Sequence, residues 1–174
     1  MRFIDFLKTA VLLSMAAATL LAIFTVLASS DDRLLLLALA GWWLVAGVLG
    51  AVLGRRRRAS PPIARLLAGA RATTTLPELR PGPVLLGRLW PLLASTAAGG
   101  LLAFLGPQVP GIAAGFAVLG SLYWRHQDAA VAAIEDRDGV AFFVEPGSPF
   151  QAMSLVRTPS FRRETPMVAP DGAV

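Results

Sequence analysis

The twenty-five residues from Leu34 to Arg58, "LLLLALAGWWLVAGVLGAVLGRRRR", decide the fold class. The first twenty carry no charge, and at about 1.5 Å of helical rise each they match the roughly 30 Å hydrocarbon core of a bilayer. Long segments nearly free of charge are the membrane signature rather than that of a globular domain. Four arginines follow immediately, so the stretch reads as a membrane-crossing helix with one end held by guanidinium groups at the headgroups.

The rest of the chain fits that reading. Of 174 residues, 55% are hydrophobic and only 16% charged, well under the roughly 25% of globular chains. There is no cysteine, which excludes disulfides, thiolate nucleophiles and cysteine-ligated metals. The net charge of +5 comes from fifteen arginines and one lysine against 11 acids, and its meaning depends on position.

Working outward, three more runs can cross a membrane, giving four transmembrane helices at about 9–28, 34–53, 89–105 and 108–124. The first is "TAVLLSMAAATLLAIFTVLA". The third begins after Arg88, which leaves Pro91 in its first turn, where a missing N–H costs little. The fourth, "PGIAAGFAVLGSLYW" with flanking residues, is short and spans with local thinning. In this arrangement fifteen of the sixteen basic residues share one side and only Arg33 lies on the other. The positive-inside rule then places both termini in the cytoplasm of an inner membrane. Trp90, Tyr123 and Trp124 fall at the same interface, while Trp42 and Trp43 fall mid-span, as residues for helix packing or lipid contact. The start "MRFIDFLK", with small residues before "SSDD", also has signal-peptide grammar, but the apolar run is longer than a signal peptide's.

Between the second and third spans lies an Arg-rich loop, 54–88. Arg55, Arg56, Arg57, Arg58, Arg65, Arg71 and Arg88 are its candidate topology anchors and binders of anionic lipid headgroups. Topology explains "GRRRR" without nucleic acid. Ser60 followed by two prolines and "IARLLAGARA" predicts a short interfacial helix over 61–72, with Ile63, Leu66, Leu67 and Ala70 entering the headgroup boundary. The run "TTTLPELRPGP" predicts a linker.

Beyond the bundle of residues 1–124, residues 125–163 predict a cytoplasmic appendage. A helix stops at Asp138-Gly139, and a β-hairpin follows from "VAFFVE", the turn "PGSP" and "FQAMSLVR". Residues 164–174 read as a disordered tail. An isolated hairpin is marginal in water. Its apolar side chains Phe142, Phe143, Val144, Met153, Leu155 and Val156 therefore require a docking surface: the interfacial helix, a second copy or another protein. The acids Asp128, Glu135, Asp136 and Asp138 are expected to pair with Arg55 to Arg58.

No catalytic, metal or cofactor constellation stands out. None of the four spans carries Asp, Glu, Lys or His, which removes the intramembrane carboxylate that four-helix drug antiporters depend on. His126 and Asp128 do not face each other on a helix, and Asp136-x-Asp138 is a weak metal triplet. Gly50-x-x-x-Gly54, Ser95-x-x-x-Gly99, Thr96-x-x-x-Gly100 and Gly111-x-x-x-Gly115 predict close helix packing. The sequence thus suggests a non-catalytic adaptor or accessory subunit that docks a cytoplasmic partner or a second copy at the membrane. A transporter or channel component, and a membrane-embedded lipid-modifying enzyme, are the rivals.

Overall fold

The computed structural model describes residues 1–55, 59–73, 81–145 and 151–159. It is mostly helical with a small sheet, in the order α1 (Phe3–Ala28), α2 (Arg33–Leu53), α3 (Pro61–Ala68), β1 (Arg71–Ala72), α4 (Pro81–Leu102), α5 (Gln108–Trp124), α6 (Gln127–Asp138), β2 (Val140–Val144) and β3 (Leu155–Pro159). Helices α1, α2 and α4, of 26, 21 and 22 residues, are long and apolar enough to cross a membrane. Helix α5 has 17 residues, about 25 Å of rise.

The helices form a layer in which α5 lies between α1 and α2, and α4 packs on α1 and touches α5. Their directions follow from which residues meet. Thr25 and Leu39 flank Gly111, Gly50 lies on Leu119 and Leu122, and Ser121 reaches Met15. So α2 and α5 run one way and α1 the other. Leu21 sits on Gly99 and Phe24 on Gly100, while Val84 shares a core with Phe3, so α4 runs with α1.

Small residues set the spacing of this layer. Ala17 and Ala18 of α1, Ala46 and Gly50 of α2, and Ala114 and Gly115 of α5 are all buried. A Cβ on Gly54 would collide with the Leu122 carbonyl, and one on Gly115 with the Trp42 indole. Backbones approach because those atoms are missing. Trp43 Nε1 donates to the Gly111 carbonyl at 2.7 Å and Trp42 Nε1 to that of Ile112 at 3.2 Å. The two mid-helix tryptophans therefore stitch α2 to α5, and Trp42 also meets Phe116 edge-on at 5.1 Å.

The larger side chains are packed elsewhere, at the end of the layer where α1 and α4 begin. Met1, Phe3, Phe6 and Leu7 from the start of the chain, Ile63 and Leu67 of α3, Val84, Val131 of α6, Phe142 and Val144 of β2, and Leu155 of β3 form one core. Phe3, Ile63 and Val131 are under 2% exposed, and each such burial contributes about 1.5–3 kcal/mol.

Several boundaries differ from the sequence reading. The interfacial helix stops at Ala68 rather than reaching 72, because Arg71 and Ala72 pair with β3. Helix α4 starts at Pro81, eight residues before the expected span start at 89. Pro81 and Pro83 occupy a first turn that needs no N–H donor, and the helix ends at Leu102 instead of 105. Pro91 consequently lies inside the helix. In place of the expected two-stranded hairpin there is a three-stranded sheet ordered β1-β3-β2. Strands β2 and β3 are antiparallel with Phe143 opposite Val156, and β1 is parallel to β3. The second strand begins at Leu155 rather than Phe150. Helix α6 does end at Asp138, on Gly139 with φ 62°, the left-handed cap that glycine adopts without strain. The proposed PGSP turn, most of the TTTLPELRPGP linker and the tail from 160 lie outside the described residues.

Candidate functional site

The end of the layer where α1 and α4 begin, which carries Arg2, Lys8, Arg55, Arg88 and Arg125, is its basic end, and several long-range polar contacts surround the core there. Glu135, on the last turn of α6, is 5% exposed. Its Oε2 accepts from Arg2 Nη2 at 2.6 Å and its Oε1 from the Phe142 backbone N–H at 2.8 Å. A buried carboxylate needs such partners, since an unpaired one in low dielectric is strongly disfavoured. The same Arg2 forms an antiparallel bridge to Phe143, and the Val144 N–H donates to the Met1 carbonyl at 2.9 Å. The chain start thereby covers the edge of β2 that β3 leaves open, and α1 is tied to the sheet by backbone as well as by charge.

Two more ties run across the junction. The Ser60 N–H donates to buried Gln127 Oε1 at 2.8 Å, which positions the start of α3 against α6. Ser60 is the N-cap residue, but its hydroxyl makes no capping bond. Arg88 Nη1 donates to the Gln151 carbonyl at 2.7 Å, linking α4 to the loop before β3.

The expected arginine anchors divide by this geometry. Arg55, Arg65 and Arg71 are exposed at the basic end, Arg88 is half-buried, and Arg56, Arg57 and Arg58 lie outside the described residues. Ile63 and Leu67 turn inward to the core, leaving Arg65 on the outer face. The six partner-docking candidates are brought together, but against their own chain. Phe142, Val144 and Leu155 belong to the core and Met153 packs on it, while Phe143 and Val156, one register step away, are also buried. Within the chain, α3, α1 and α6 are the helices that meet the sheet.

The expected pairing of the acids with Arg55 to Arg58 falls largely outside the described residues, which do not include Arg56, Arg57 and Arg58. Glu135 takes Arg2, and Asp138 pairs with its neighbour Arg137 at 2.7 Å. That hydrogen bond holds the Asp138 carboxyl below its ordinary value and raises the Arg137 guanidinium. His126 accepts from Arg125 Nε at 3.0 Å through Nε2. Among the described residues no three His, Cys, Asp or Glu side chains converge as a metal site would require.

An apolar cavity at this end, with a volume of about 360 Å³, lies between α1, α5 and α3. A second cavity of about 230 Å³ shares Leu7, Val11 and Trp124 with it and adds Lys8, Arg125 and Asp128. Sequence reasoning missed the part played by the chain start. Phe3, Phe6 and Leu7 stand at i, i+3 and i+4 ahead of Lys8, the periodicity of an amphipathic turn, and that signal was legible. No protein-family model, curated protein or solved structure matches the chain.

Proposed function

We propose that the chain is a four-span inner-membrane protein with both termini in the cytoplasm. It serves as a non-catalytic adaptor or accessory subunit that holds a partner protein or a second copy at the membrane. Support for the topology comes from the alternating directions of α1, α2, α4 and α5, with which nine of the ten basic residues among the described ones, all but Arg33, lie toward one end. Helix α5, though short, is packed between α1 and α2 along its length.

The observation that carries the adaptor reading is the open edge of the helix layer. Helix α2 has α5 as its packing partner, and Leu34, Leu37 and Leu44 are 81%, 74% and 69% exposed along it. The sheet's apolar face is already filled by α1, α3 and α6, so the interaction surface shifts from the appendage to α2. The buried Ala and Gly residues along α1, α2 and α5 favour this reading over a channel component.

The experiment is photo-crosslinking in native membranes from p-benzoylphenylalanine at Leu37 and Leu44. Leu12, 71% exposed on α1, is the control. Protein adducts from the α2 positions and lipid adducts alone from Leu12 are expected. Lipid adducts alone at all three positions would sink the proposal.

A further inference from the structure

The apolar cavity and its charged neighbour together have the form of a lipid site, and we infer that they seat one anionic phospholipid, its acyl chain in the cavity and its phosphate beside Lys8 and Arg125. The cavity is walled by Phe6 and Val11 of α1, Ile63 and Leu66 of α3, and Gly120 and Trp124 of α5. Ser14 and Ser121 supply its only hydroxyls, and that of Ser121 is directed to the Val118 carbonyl at 2.9 Å. Water needs two to four polar partners to be held in a cavity, and these walls do not offer them. An apolar space between membrane helices is therefore filled by hydrocarbon, and about 360 Å³ is the size of a small-ligand pocket rather than of a groove for a second helix.

Charge selects the headgroup. The adjoining cavity sets Lys8 and Arg125 against a single acid, Asp128. Among the described residues neither cation is in an ion pair with a carboxylate. Because the two cavities share Leu7, Val11 and Trp124, one molecule can lie across both. This site is separate from the exposed face of α2 and does not depend on the adaptor reading.

Gly120 supplies a clean test, since a Cβ there meets nothing within 4 Å and larger side chains can fill the cavity without disturbing the backbone. The full chain is purified in mild detergent and exposed to mixed micelles of phosphatidylglycerol and phosphatidylcholine with identical acyl chains. Retained lipid is then counted by native mass spectrometry. The wild type is expected to keep one phosphatidylglycerol per chain, preferred over phosphatidylcholine about tenfold. Gly120→Leu should lose both lipids while keeping the wild-type helical content, and Ser14→Leu, filling from the opposite wall, should do the same. Lys8→Gln combined with Arg125→Gln should bring the preference to about parity yet keep a bound lipid. Full retention of phosphatidylglycerol in a folded Gly120→Leu or Ser14→Leu protein, or an unchanged preference in the double variant, overturns the inference.

Discussion

Glu135 shows how much of the junction depends on one side chain. Replacing it by Ala orphans both the buried Phe142 N–H and Arg2, and the expected loss is about 3 kcal/mol. Gln keeps an acceptor for Phe142 and forfeits only the charge on Arg2, whose side chain is 50% exposed, so its cost is about 1 kcal/mol or less. Denaturant unfolding in detergent, with amide exchange at Phe142 and Val144, separates the two variants. Equal losses would show that the backbone acceptor is unimportant. Nothing local in "AAIEDRDG" distinguishes Glu135 from its acidic neighbours. What singles it out is a partner 133 positions away, which no window of sequence contains.

At the scale of elements, the seam between α2 and α5 predicts a sharp division among glycines. Gly54→Ala and Gly115→Ala force Leu122 and Trp42 aside, and each should weaken the seam by about 1–3 kcal/mol. Gly41→Ala and Gly47→Ala meet open space and should be neutral or stabilising by up to about 1 kcal/mol. Thermal unfolding of the four variants in one detergent is the check, and a uniform response would contradict the packing described. The small-residue spacing in the sequence already marked Gly50, Gly54, Gly111 and Gly115. It could not assign partners, because any helix can face such a stripe. Helix ends were read unevenly for a similar reason. Gly139 was legible as a stop, since the left-handed cap is a local demand. Pro81 and Pro83 read as breakers because only the register of α4 shows that they fall in a first turn.

For the whole molecule, the apolar run lengths carried the membrane reading, and three helices of the required length and character are present. The location of the main core was not legible. It lies at one end of the helix layer and draws on the chain start, α3, α4, α6 and the sheet at once, a convergence of segments with no shared local pattern. Phe142→Ser with Leu155→Ser should accordingly unfold that end and free α3, rather than only strip a binding surface. Limited proteolysis of the variant should cut between α6 and β3 and also near α3, whereas cleavage confined to the sheet would mean that the core is not shared.

The pairing of Met1 and Arg2 with β2 also fixes an order of events during synthesis. The segment holding Met1 and Arg2 must wait for residues 140–144, made much later, before its edge contacts can form. Helix α1 is therefore complete long before its partner strand exists, and the long-range contact forms late in folding. A chain stalled ahead of α6 would hold its apolar helices with Phe3 and Phe6 uncovered, a state that quality-control proteases can distinguish from the finished protein.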